Sequence, residues 1–276
     1  MRPMQYDSSK LVIKGRGEPG FSYPIVWEDS FSALSDEIRK VLGSFSGKLC
    51  IMTDSHVSEL YLQPVTEALK SSYTLTKPFI FPAGEKHKQL SVLQEFYQHL
   101  LCSEMDRKDV IVALGGGVTG DMAGFAAATY RRGIRFIQIP TTLLAQVDSS
   151  IGGKTAVDLG SFKNMIGAFH QPLLVYMNPL VLQTLSGEQF SSGMGEVIKT
   201  ALIGDEQLYT YLKMNAEAIC RGEASALRHI VRACCAVKAA VVEEDPLDQG
   251  IRAVLNFGHT IGHAVEAESR FSLPHG

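Results

Sequence analysis

The strongest constraint on the fold is a change of pattern near residue 178. Before it, short apolar runs alternate with amphipathic segments of helical spacing; after it, only helical spacing remains. KLVIKG, YPIVWE, KLCIMTD, YTLTKPFIF, DVIVALGGG and IRFIQIPTT read as strands, and the pattern changes after LLVYMNP. SFSALSDEIRKVLGSF, VSELYLQPVTEALKSS, LSVLQEFYQHLLCSEM and MAGFAAATYRRG read as helices, with Pro64 breaking or kinking the start of the second. Such alternation predicts a largely parallel sheet with helices on both faces, because parallel neighbours need crossover connections. From Pro179 onward, GMGEVIKTALIG, DEQLYTYLKMNAEAI, ASALRHIVRACCAVKAAVVEE and RAVLNFGHTIGHAVEAES are all helical. The expected architecture is an α/β domain over residues 1–178 followed by an all-α domain over 179–276.

Bulk properties narrow the functional classes. The 276 residues carry a formal net charge of −3, with 45% hydrophobic and 20% charged residues. That composition is ordinary for a globular chain able to bury a core without staples. It offers no basic field for nucleic acid and no polybasic patch for a membrane. The segment MRPMQYDSSK lacks the apolar stretch of a signal peptide, and no run is long and apolar enough to span a bilayer. Cys50, Cys102, Cys220, Cys234 and Cys235 are odd in number and form no CxxC pair, so they read as reduced thiols in a cytoplasmic protein. The adjacent Cys234 and Cys235 read as small, buried helix residues.

Three stretches carry candidate chemistry. Gly115, Gly117 and Gly120 match G-x-G-x-x-G after a strand and at the opening of a helix, the context for a dinucleotide pyrophosphate. A simple tight turn would look the same. Asp121 is expected in the first helical turn. The acid that standard fingerprints carry about 20 residues on is absent, and the next acid is Asp148, so a different strand order is expected. The run PTTLLAQVDSSIGGKTAVDLGSFKNMIGA reads as a long ordered loop in which Lys154, Lys163 and Asn164 stand near glycines and could meet phosphate. Its alternative is a solvated surface loop. In the helical half, Glu196, His259, His263 and His275 are candidate metal ligands. His259 and His263 share a helix face, but Thr260 replaces the glutamate of H-E-x-x-H. One Glu with two His would leave Zn²⁺ an open position. Spacing alone does not choose among the histidines. His87 is a weaker candidate, and His170 and His229 read as structural.

The runs GGGVTGDMAGFAAATY, GIRFIQIPTTLLAQVDSSIGGKTAVD, FKNMIGAFHQP, GMGEVIK and LNFGHTIGHAVEAE, in this order, resemble the 3-dehydroquinate synthase family. That family lies among the sugar-phosphate cyclases, whose fold is related to iron-type alcohol and glycerol dehydrogenases. The resemblance implies conversion of a phosphorylated seven-carbon keto acid, 3-deoxy-D-arabino-heptulosonate 7-phosphate, to 3-dehydroquinate in the shikimate route. It implies NAD, used and regenerated through oxidation, phosphate elimination, reduction and aldol closure. It also implies a divalent metal, Zn or Co, and a homodimer.

Site residues follow by the same resemblance. Glu196, His259 and His275 are implied as metal ligands, and His263 as a substrate and phosphate contact. Lys154, Asn164, Arg252 and Asn256 would grip the phosphate or nearby hydroxyls, and Arg132 would reach the phosphate site of the second subunit. Asp148, Lys199 and Lys238 would meet the ring substituents and carboxylate. For NAD the family pattern falls on Asp54, on Ala83, Gly84, Glu85, Lys86, His87 and Lys88, on Gly117, Val118, Thr119, Gly120 and Asp121, on Thr141, Thr142, Lys154 and Lys163, and on Val181, Leu182, Gln183 and Thr184. Two departures stand out. Asp248 replaces the family's usual Glu, and the family continues past the positions of His275 and Gly276, so a shortened helical domain with a mobile His275 and weakened metal affinity is expected. The competing readings are another cyclase acting on glucose 6-phosphate or sedoheptulose 7-phosphate, a metal-dependent polyol dehydrogenase, and an NAD-binding form without activity. Lys154, Asn164, Asn256 and His263 together favour the dehydroquinate set.

Overall fold

The computed structural model describes residues 9–15, 20–160, 162–269, 273, 275 and 276. In chain order the elements are β1 (Lys10–Gly15), β2 (Phe21–Trp27), α1 (Leu34–Leu42), β3 (Lys48–Asp54), α2 (Ser55–Val57), α3 (Gln63–Leu69), β4 (Thr74–Leu75), β5 (Phe79–Phe81), α4 (Leu90–Cys102), β6 (Val110–Gly115), α5 (Gly117–Thr129) and β7 (Arg135–Pro140). They continue with β8 (Lys154–Leu159), β9 (Phe162–Phe169), β10 (Val175–Met177), α6 (Gly187–Gly204), α7 (Glu206–Met214), α8 (Ala216–Cys220), α9 (Ala224–Glu244) and α10 (His259–Glu268). Two compact units result. One comprises Tyr23–Thr141 and Gly153–Asn178, the other Met1–Ser22, Thr142–Gly152 and Pro179–Gly276.

The α/β unit is built on parallel strands in the order β2-β10-β7-β6-β3-β4, with β5 also paired to β3. Alternate residues Cys50, Met52, Ile111, Ala113 and Phe136 form one core with Leu93, Phe96, Met122 and Val157. The intervening Leu49, Ile51, Val110, Val112 and Ile137 are buried as well. Both sheet faces are therefore covered, and β6 reads as a continuous apolar run rather than an alternating one. From β3 the chain crosses to β4 and β5 on one side, and from β6 to β7 on the other. The carboxyl ends of β3 and β6 thus flank a topological switch point, where open parallel sheets bind ligands. Asp54 ends β3 and Gly115 ends β6, one step beyond the paired Thr53 and Leu114.

Two local expectations change and one is met. Pro64 stands in the first turn of α3, where the break was expected. A π turn at Ser58–Leu62 precedes α3, and the wider turn absorbs the missing N–H. YTLTKPFIF divides into β4 and β5 around Lys77 and Pro78. The presumed long loop after Pro140 holds a π turn at Ala145–Ser149 and an antiparallel hairpin, β8–β9, which packs on α5. No face of β9 is fully buried, so alternation there had no strong contrast to reveal it.

The helical unit is organised around α9, whose Leu227, Ile230, Val231, Cys234, Cys235 and Val242 are fully buried. It packs against α6, β1 and the 145–149 turn. Residues 142–152 and β1 group with this unit by their contacts. The reasons are specific: Lys238 on α9 pairs with Asp148, the Cys235 thiol donates to the Gln146 carbonyl at 3.3 Å, and Glu243 accepts from the Lys14 N–H at 2.8 Å. Among the described residues, no helix is long and apolar enough to cross a membrane.

Candidate active site

In the α/β unit the expected dinucleotide residues gather at the carboxyl ends of the strands. α5 begins at Gly117, earlier than its apolar pattern suggests, so Asp121 lies in the second turn rather than the first. Gly116 caps the helix with no side-chain hydrogen bond, leaving N–H groups and the positive end of the helix for an anion. A Cβ on Gly120 would stand 2.7 Å from the Gln138 side chain, which explains the third glycine as helix-to-sheet packing. Asp54 caps the next helix through the N–H groups of His56 and Val57 and accepts from the Thr119 hydroxyl at 3.5 Å. Ala83, Gly84, Glu85 and Lys86 are exposed, and His87 is half-buried.

Lys88 behaves differently from its neighbours. It is 4% exposed. Its ammonium donates to Asp121 Oδ2 at 2.6 Å and to Asn164 Oδ1 at 2.5 Å. Burial acts most strongly on it and disfavours the charge, but Asp121, Glu85 and Asp158 outweigh burial and hold its pKa above the ordinary lysine value. Lys154 and Asn164 are exposed on the hairpin, Lys163 is half-buried beside Asn164, and Thr141 is buried at the end of β7. Arg132 is exposed in a turn at φ 66°.

In the helical unit, α6 carries Glu196 and Lys199, which are 3% and 7% exposed and pair with each other. Glu196 Oε1 lies 3.4 Å from His259 Nε2 and 3.3 Å from His275 Nε2. The ring nitrogens of His259, His263 and His275 lie within 4.8 Å of one another. Burial pushes the Glu196 pKa upward, but hydrogen bonds with His259 and His275 and the Lys199 charge hold it well below the ordinary carboxylate range. The main chain bearing His275 rests on α6: a Cβ on Gly195 would meet Gly276 Cα at 2.7 Å, and Ser192 donates to the His275 carbonyl.

His275 Nδ1 also lies 2.8 Å from Glu266 Oε1. Both its nitrogens therefore face carboxylates, whereas a neutral imidazole has one proton to donate. An imidazolium satisfies both carboxylates, and so does a metal ion on the Nε2 side with Nδ1–H donated to Glu266 as an orienting outer partner. Two donors about 2.0–2.1 Å from a tetrahedral Zn²⁺ stand about 3.3 Å apart, which matches the separations from Glu196. The donor set thus fits a divalent metal. Glu266 was missed in the sequence, although it lies seven residues beyond His259 on the same helix face.

Nearby in this unit, Lys238 donates to Asp148 Oδ1 at 2.5 Å and to its carbonyl at 2.7 Å. Burial disfavours the charge on both. The Asp148 carboxyl is nonetheless lowered by Lys238 and Lys199, while burial wins at Lys238 and lowers its pKa. Arg252 is 2% exposed and donates to the carbonyls of Gly152 at 3.1 Å and Pro246 at 2.9 Å. Asn256 and His263 are exposed. Of the second expected dinucleotide segment, Val181 and Leu182 are buried, Gln183 donates to the Gly222 carbonyl, and Thr184 is exposed; Thr142 belongs to this unit too. His170 and His229 are structural as expected: the first bonds the Ile134 carbonyl and stacks on Phe136, the second stacks on Tyr211.

Residues 78–192 match the 3-dehydroquinate synthase N-terminal family and residues 193–276 the 3-dehydroquinate synthase C-terminal family. A 3-dehydroquinate synthase from Acetivibrio thermocellus is 44% identical over 92% of this chain and 70% of its own length. Among solved structures, 2-deoxy-scyllo-inosose synthase with carbaglucose-6-phosphate, NAD⁺ and Co²⁺ aligns with a TM-score of 0.86 at 27% identity, over 96% of this chain and 71% of that one. A 2-epi-5-epi-valiolone synthase from Streptomyces hygroscopicus with NAD⁺ and Zn²⁺ aligns with a TM-score of 0.84 at 26% identity, over 92% and 71%. With both halves of the family pattern matched in order and a relative this similar over most of its length, the chain belongs to the 3-dehydroquinate synthase family.

Proposed function

We propose that the chain converts 3-deoxy-D-arabino-heptulosonate 7-phosphate to 3-dehydroquinate and phosphate. The observation that carries the reading is the Glu196 carboxylate set between two imidazole nitrogens at metal-ligand separation, in a chain of this family. When bound, NAD supplies a hydride acceptor and then donor, and zinc or cobalt a Lewis acid at the alcohol being oxidised. Glu196, His259 and His275 hold the metal. The start of α5 takes the pyrophosphate, with Asp54, the 83–88 turn, Thr141, Thr142, Lys163 and the 181–184 segment as further cofactor contacts. Lys154, Asn164, Arg252, Asn256 and His263 hold the phosphate and neighbouring hydroxyls, orienting the leaving group for elimination. Asp148, Lys199 and Lys238 bind the ring substituents and carboxylate. In a homodimer, Arg132 reaches the phosphate site of the second copy. Five free thiols, three of them buried, support a cytoplasmic setting.

The test is phosphate release from the seven-carbon substrate with NAD⁺ and Zn²⁺ or Co²⁺. Release without net NADH, abolished by chelation and restored by metal, is the expected result. Activity that survives stringent chelation removes the metal assignment. Net NADH identifies a dehydrogenase instead, and turnover only of glucose 6-phosphate or sedoheptulose 7-phosphate identifies a sister cyclase.

A further inference from the structure

Lys88 joins three segments that are far apart in sequence. Its ammonium reaches Asp121 on α5 and Asn164 on β9, while its carbonyl accepts from the Asp158 N–H at 2.8 Å. Asp158, itself 6% exposed, accepts from the Asn164 N–H through Oδ1 at 2.8 Å. Asn164 is held at φ 56°, in the left-handed region that Asn tolerates better than most residues. Main chain and side chain of Asn164 are thus both anchored, one by Asp158 and the other by Lys88.

The chemistry of that anchor is directional. An ammonium donates and never accepts, so only the oxygen of the carboxamide can face it. The NH₂ group of Asn164 is then turned away from Lys88, on a residue that is exposed. We propose that Lys88 is a positioning residue: it fixes the carboxamide of Asn164 so that a hydrogen-bond donor is presented to an acceptor oxygen, phosphate or hydroxyl, of the phosphorylated substrate. The buried ammonium donates to Asp121 and Asn164 and acts on the substrate through Asn164. This rests on the substrate reading above and adds to it the orientation of one contact and the residue that sets it.

The decisive variant is Asn164→Asp, which keeps an oxygen for Lys88 but has no outward donor. Expected is a KM for the seven-carbon substrate raised tenfold or more, at least as far as in Asn164→Ala, with kcat less affected and thermal stability no lower than in the parent. A near-normal KM in Asn164→Asp overturns the proposal. In a double-mutant cycle, Lys88→Met raises KM similarly, and Asn164→Ala adds little in that background; effects that multiply overturn the positioning role. A readout independent of turnover, and of whether Lys88→Met folds, is the side-chain NH₂ signal of Asn164 in selectively ¹⁵N-labelled parent protein, titrated with inorganic phosphate. Perturbation of that signal, absent in Asn164→Asp, is expected, and an unresponsive signal sinks the inference. Failure of the parent to release phosphate counts against the proposed function, whereas the titration still decides this point.

Discussion

Lys88 and Glu196 are buried almost equally, at 4% and 3% exposure, yet their surroundings serve opposite ends. Around Lys88 each contact pairs a donor with an acceptor. Around Glu196, two imidazoles approach one carboxylate oxygen at 3.3–3.4 Å, longer than a good hydrogen bond, and one of them faces a second carboxylate. The first arrangement holds segments of the protein together. The second makes chemical sense as a receptacle for a cation. A buried charge therefore says little by itself, and what its neighbours still lack says more.

This contrast can be broken experimentally. The largest effect is expected for His259→Ala, which should lower turnover on the order of a thousandfold through loss of the Lewis acid, with metal content falling in parallel. Stability of the metal-free protein should change little, and a large loss there would make the cluster structural after all. Next comes Lys88→Met, which takes the buried ammonium away from Asp121 and Asn164 and should cost about 3 kcal/mol in denaturant unfolding; a change inside error would remove the distinction between the two clusters. Gly152→Ala follows. Gly152 has φ 97°, and a Cβ there would stand 2.3 Å from Arg252, so a loss of about 2 kcal/mol together with a raised substrate KM is expected. Normal values would separate Arg252 from the site.

The smallest effect concerns His170, a histidine with a purely structural setting. Burial holds its pKa below the ordinary 6.5, against the bond to the Ile134 carbonyl. The folded state therefore binds fewer protons than the unfolded one just below that pH, and stability falls as pH drops through 6.5 and levels off below the folded pKa. Replacement by Phe should reduce that slope, as measured by unfolding at several pH values. A slope that persists undiminished assigns it to another group.

What was legible in the sequence was local. The strand VIVAL running into glycines and a helix needs only adjacent residues to be recognised, and it stands at the switch point of the sheet. β8 and β9 were hidden because neither offers a clean apolar face, and Gly, Ser and Thr dominate their surroundings. The placement of residues 142–152 depends on Lys238, 90 positions away from Asp148. Spacing could not choose among the histidines, since the approach of His259 and His275 to Glu196 is a tertiary fact. The shared ammonium of Lys88 was invisible for the same reason: Asp121 and Asn164 are 33 and 76 residues from it.

The seat of the last residues on α6 has a consequence for tuning. Gly195 has no side chain to offer a ligand atom, but a methyl group there would fall within 2.5 Å of the Gly276 carbonyl. It would act as a wedge, pushing the strand of chain that carries His275 outward while leaving Glu196 on its helix. In the proposed metal site, affinity would be adjustable from the residue beside Glu196, through the width of a groove, with every donor atom retained. Gly195 thereby sets how near Glu196 and the main chain of His275 can stand.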